Sequence, residues 1–154
     1  MKTAIKKRKA AEPLSFINLL GGESIVRHPV GSDFDLISLS NEGISKASVD
    51  ALVGHLGISR KAFSENILDT SVKTLERKKN TDKLDKRTSS HIIEITKVVE
   101  HAFEVFEDEN SVKQWLNSPN RALGGIKPID LFYIPTGLSM VDNILGRIEH
   151  GVYS

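Results

Sequence analysis

The chain of 154 residues has no cysteine. That excludes disulfides and thiolate metal sites, and it suits a reducing compartment. No apolar run approaches the roughly 18 residues that a membrane helix needs. The start, "KTAIKKRK", is basic, but "SFINLL" is too short for the apolar core of a signal peptide. A cytoplasmic protein with no membrane partner is expected. Charge of one sign is also missing in bulk. With 21 Lys and Arg against 20 Asp and Glu, the net charge is +1, so no polyanion partner follows from the total.

What is there is ordinary globular material, 39% apolar and 27% charged. The charge is unevenly placed. Residues 73–87, "KTLERKKNTDKLDKR", are mostly basic, while Glu100, Glu104, Glu107, Asp108 and Glu109 form an acidic stretch.

The apolar periodicity predicts a mostly α protein. Pro13 can open a short helix that Gly21-Gly22 ends. Residues 23–43 are ambiguous, because "SDFDLISLS" reads as strand or helix. Val49, Leu52, Val53 and Leu56 make one helical stripe stopped by Gly57. Ser59 and Ser71 are N-caps for the next two helices, the second running through "VKTLERKK". A long helix is expected from about Thr88 to Phe106, and a short one around Val112, Trp115 and Leu116. Pro135–Gly137 reads as a break before a last helix with Leu138, Val141, Ile144, Leu145 and Ile148 on one face. The seam Ile92, Ile95, Val99, Phe103 and Phe106 is long for a small domain, and it is expected to contribute to a homodimer contact.

Three functional classes compete. The three helices from Ser45 to Lys79 have helix-turn-helix spacing, with Asp69 in the turn where glycine is frequent. In that motif the last helix enters the major groove, so Ser71, Lys73, Thr74, Arg77 and Lys78 are candidate DNA-binding residues. The bland alternative is a packing unit with a solvated basic face. A catalytic reading has less behind it. His91-x-x-Glu94 and His101-x-x-Glu104 each put two possible ligands on a helix face, which also describes an exposed polar face. The Gly-Gly pairs lack the strand and Lys-Ser/Thr of a phosphate loop, and "GLSMV" is no nucleophile elbow. No cofactor or metal is expected, and no enzyme activity.

The third class comes from the C-terminal part. Pro119, Gly124, Gly125 and Pro128 shape a stiff corner, and a tail, "EHGVYS", leaves Arg147, His150 and Tyr153 for a partner. The words "WLNSPNRALGGIKPIDL" and "GLSMVDNILGRIEHGVYS" together resemble the toxin-binding domain of the Xre/MbcA/ParS antitoxins. The likeness extends upstream through "GISKASVDALVGHLGIS", "TSVKTLERK" and "EVFED", covering about residues 43–152.

The resemblance implies a basic arm and lead-in over 1–44, an Xre-like helix-turn-helix domain over 45–87 and a helical toxin-binding domain over 88–154. It implies a noncatalytic antitoxin of a type II system whose partner is a RES-domain toxin that consumes NAD. Binding to its own promoter DNA, homodimers and higher toxin–antitoxin assemblies are further implications. The toxin-facing role carries over to Trp115, Asn120, Leu123, Gly124, Pro128, Asp130, Arg147, His150 and Gly151. Two departures stand out: "FYIPTG" replaces a more polar capping stretch, and Lys73 stands where arginine is common. The runner-up is a stand-alone helix-turn-helix regulator whose C-terminal half only dimerises.

Overall fold

Short polar residues start nearly every helix in the computed structural model, which describes residues 14–151. The helices are α1 (Phe16–Leu19), α2 (Asp33–Glu42), α3 (Lys46–Leu56), α4 (Arg60–Ala62), α5 (Val72–Glu76), α6 (Lys86–Phe106), α7 (Glu109–Leu116) and α8 (Pro135–Glu149). Before α1 to α7 stand Ser15, Ser32, Ser45, Ser59, Ser71, Asp85 and Asp108. Each accepts a backbone N–H three residues on, which satisfies a donor the helix would otherwise leave unpaired. The basic arm, Pro13 and Tyr153 lie outside the described residues.

The ambiguous stretch 23–43 contains a helix. Ser32 caps α2, the Asp35 carboxylate accepts the Gly31 N–H, and Asp33 and Asp35 sit favourably in the first turn. This local chemistry overrides the alternation, because α2 fully buries only Leu39 and leaves Phe34 and Ile37 exposed.

α6 is the centre of the core. Ile92, Ile95, Val99 and Ala102 are fully buried, with Ile93 and Phe103 nearly so. α1, α2, α7 and α8 all pack on this helix. The seam expected at a homodimer contact is therefore consumed inside one protomer. Its length, about 32 Å for 21 residues, is needed to carry four neighbours. Phe106, at its end, packs on Trp115 with ring centroids 5.4 Å apart.

The helix after Ser59 has an unexpected geometry, and two further boundaries differ from expectation. α4 continues as a π-helical turn, Phe63–Ile67, closed by Leu68 N–H to Phe63 C=O. α5 ends at Glu76 rather than Lys79, because the chain turns back: the Asp82 carboxylate accepts Lys79 N–H, and Asn80 C=O accepts Ala47 N–H. Pro135–Gly137 is not a break. Pro135 is the first residue of α8, where its missing N–H is harmless, and Gly137 lies in the first turn.

One hydrophobic cluster runs from Phe16 to Leu145 without interruption. α3 and α7 meet where the Asn117 side chain donates to both Leu56 C=O (2.9 Å) and Lys113 C=O (2.8 Å), tying together two helix C-termini. At the other end, Ser89 Oγ accepts Ile44 N–H and donates to Leu84 C=O, which fixes the pairing of segment 44–46 with 82–84.

Candidate functional site

The glycine-proline corner follows directly from its residues. Asn120 accepts Ala122 N–H on its side chain and Gly125 N–H on its carbonyl, and it donates its own N–H to Ile126 C=O. Closing this loop puts Gly124 at φ +66 and Gly125 at φ +86, two consecutive left-handed residues. The exposed tip, Arg121 to Lys127, is held on an inward anchor, because Leu123 is only 5% exposed. A second short turn, Pro128–Leu131, buries Pro128 and Ile129 and leaves Asp130 exposed. Phe132 is fully buried, and its carbonyl meets His91 Nε2 at 2.7 Å.

These placements divide the residues nominated from the sequence. Asn120, Gly124 and Asp130 belong to the corner, with Gly124 and Asp130 exposed. Leu123 and Pro128 point into the core, so their surface role is corrected to a structural one. Trp115 is half-buried against Phe106. Arg147, His150 and Gly151 lie exposed at the far end of α8. The corner packs on the opposite end, where Gly137 meets Leu131. About 15 Å of helix separates residue 137 from residue 147.

The outer face of α8 spans that gap, and the sequence reading missed it. Thr136, Met140, Asn143, Arg147 and His150 recur at steps of three and four, and all are exposed. Met140 is 43% exposed, and Tyr133 and Ile134 extend the apolar surface at the helix start. The signal was present as the polar complement of the Leu138–Val141–Leu145 stripe, but a methionine on that side does not announce itself.

The other flank of α8 faces α6. His101 Nδ1 lies 2.7 Å from Asp142 Oδ1, and its Nε2 lies 2.7 Å from Glu149 Oε2. A neutral imidazole has one N–H only, so two carboxylates can both be served only by the protonated ring. Burial works against that charge, but the hydrogen bonds and charges of Asp142 and Glu149 outweigh it and hold the pKa above the usual histidine value. The bond from His101 in turn holds the Glu149 carboxyl below its usual range. Glu104, one turn on, is raised by burial and by the charge of Glu100. The two His-x-x-Glu pairs are thus spoken for by a carbonyl and by a carboxylate clamp. Among the described residues no group of three or more His, Asp or Glu is arranged for a metal ion.

The basic candidates sit on a separate edge. Asp69 adopts φ +52, the left-handed conformation that a glycine would supply in the turn before α5. Ser71 Oγ caps α5 and lies 3.1 Å from Thr74 Oγ1, so both hydroxyls have a local partner. Lys73, Thr74 and Arg77 are exposed, and Lys78 is half-buried. Arg77 and Lys78 come after the last helical turn rather than within it. No helix among the described residues is long and apolar enough to cross a membrane.

Comparison with known proteins places this geometry. Residues 101–151 match the family described as the antitoxin Xre/MbcA/ParS C-terminal toxin-binding domain. The match opens at His101 and closes at Gly151, so it takes in the clamp, the corner and all of α8. The chain is 28% identical over 131 residues to the "Antitoxin Xre" of Photorhabdus laumondii, covering 84% of this chain and 88% of that one. It is 23% identical over 133 residues to the "Prs ADP-ribosylating antitoxin" of a Sphingobium species, covering 80% and 83%. A 67-residue stretch is 33% identical to the "Antitoxin Xre" of Yersinia enterocolitica, covering 43% and 45%. Residues 101–151 are thus similar to the C-terminal toxin-binding domain of the Xre/MbcA/ParS antitoxins, and most of the chain is similar to proteins named as antitoxins.

Proposed function

We propose that this chain is an antitoxin that neutralises a RES-domain, NAD-consuming toxin by occupying its surface, without catalysis of its own. The observation that carries the reading is the exposed face Thr136–Met140–Asn143–Arg147–His150, which lies inside the segment matched to a toxin-binding domain. A helix fixed on a core presents such a face already ordered, which lowers the entropic cost of binding. Arginine adds a planar fork for acidic groups, and methionine an adaptable apolar contact. The RES class of the partner rests on the sequence words around Trp115 and Arg147. The test is co-expression in the cytoplasm with the product of an adjacent RES-like reading frame. Growth rescue and a co-purifying complex are expected. Absence of both sinks the reading in favour of a stand-alone regulator.

Repression of its own operon is the second part of the proposal. It is supported by the left-handed turn at Asp69, the Ser71 cap and the outward Lys73, Thr74 and Arg77, an arrangement compatible with an Xre-like unit over 45–87. Dimerisation and larger toxin–antitoxin assemblies belong to the same reading, through a surface other than the α6 seam. A gel shift with the promoter fragment tests the DNA part independently of toxin rescue.

A further inference from the structure

The end of α8 has little of its own to hold it. Leu145 is the last fully buried residue, Ile148 is only half-buried, and Gly146, Arg147, His150 and Gly151 contribute no core side chain. No basic residue but Arg147 stands in the last turn to offset its exposed carbonyls. Yet the tail is anchored across the groove, because Glu149 is gripped by His101, and Asp142, two turns earlier, by the other ring nitrogen of the same side chain.

We propose that His101 is the positioning residue of the toxin-facing tail: as an imidazolium bound to Asp142 and Glu149, it locks the last turn of α8 and thereby orients Arg147, His150 and Gly151. The proposal rests on the tail being the toxin-facing element. A single cation joins two carboxylates that would otherwise repel, and it does so between helices that are 41 and 48 residues apart in sequence at these contacts. Loss of the ring proton removes one of the two donors and leaves a carboxylate facing a lone pair. The surroundings sharpen this dependence. Glu100 and Glu104 on α6 add negative charge, Lys97 lies one turn away on the same helix, and from α1 the Phe16 N–H is directed at Glu100. On α8, His150 next to Glu149 is the remaining titratable neighbour.

The sign follows from the clamp. Proton binding is favoured in the folded protein, so the tail is held at low pH and released as pH rises through the raised histidine pKa. Three full-length proteins test it: wild type, His101→Gln and Glu149→Gln. Nitrogen chemical shifts of the His101 ring, amide exchange over residues 146–151 and affinity for the purified toxin are measured from pH 6 to 9. In the wild type, a ring that stays doubly protonated above the ordinary histidine pKa is expected, with exchange and toxin dissociation constant rising together through one step. The affinity change should be about fivefold or more. Both variants should exchange fast at 146–151 at every pH and lose the step, while the α6 amides stay protected. A ring that titrates at or below the ordinary histidine value, or unchanged exchange in both variants, overturns the clamp. An Arg147→Ala arm separates the two ideas. If that protein binds toxin like wild type, the tail is not toxin-facing and the underlying reading fails. If Arg147→Ala loses binding while His101→Gln keeps both affinity and pH step, the positioning role alone is overturned.

Discussion

A Cβ atom at Gly137 would stand 2.0 Å from the carbonyl oxygen of Leu131. The first turn of α8 therefore touches the backbone of the Pro128–Leu131 turn directly, and the corner and the helix form one unit. Gly137→Ala cannot be relieved by a side-chain rotation, because the obstacle is backbone. The substitution should destabilise by about 1–3 kcal/mol or more. Urea unfolding checks it. A midpoint within error of wild type would mean that corner and helix slide freely, against the close packing described.

Leu123 and Gly124 are adjacent, but they should fail differently. Leu123→Ala removes a core side chain and should lower stability by about 2–4 kcal/mol, with toxin affinity of the folded protein little changed. Gly124→Ala has open space around its Cβ but a φ of +66, so it should cost about 1 kcal/mol through backbone strain alone. Denaturation curves and binding titrations on both proteins read the two effects separately. A large affinity loss for stable Leu123→Ala would return that residue to the surface.

In the DNA proposal, Arg77 and Lys78 follow α5 rather than lie on it. Arg77→Ala should weaken promoter binding by about 1–3 kcal/mol if its guanidinium reads a base. Lys78→Ala should weaken all sequences alike and make the salt dependence shallower. Promoter affinity at several salt concentrations measures both. Undiminished binding by the double variant would remove this edge as the reader, leaving toxin neutralisation untouched.

Much of this architecture was legible because it is written locally. Ser59 and Ser71 announce their helices by capping chemistry, Gly57 ends α3 at φ +71, and the apolar spacing of α6 and α8 marks their buried faces. What was not legible depends on distant partners. Pro135 and Gly137 look like a breaker pair until the Leu131 carbonyl explains the glycine and the helix start explains the proline. The seam of α6 looked too long for one protomer because four covering helices cannot be counted from its own sequence. In the candidate site, motif words nominated Asn120, Gly124 and Arg147, but they did not separate exposed residues from the buried Leu123 and Pro128. His101 was visible only as half of a His-x-x-Glu pair, because Asp142 and Glu149 lie on another helix.

The last prediction concerns the span of the proposed toxin-facing surface. If the outer face of α8 binds as a unit, Met140 in its middle should matter as much as Arg147 at its end. Met140→Glu places a charge where an apolar contact is expected, and Arg147→Ala removes the fork. Both side chains are exposed and make no core contact, so each protein should keep its stability to within about 0.5 kcal/mol. Toxin affinity should fall by about 2 kcal/mol or more in each case, as at other interface anchors. Deleting residues 150–154 should likewise leave the fold intact. Deleting 147–154 also removes half-buried Ile148 and the clamped Glu149, so it should loosen the end of α8. Circular dichroism and growth rescue on the same proteins distinguish lost contact from lost structure. Full rescue by folded Met140→Glu and Arg147→Ala would move inhibition off this face, to the exposed tip between Arg121 and Lys127.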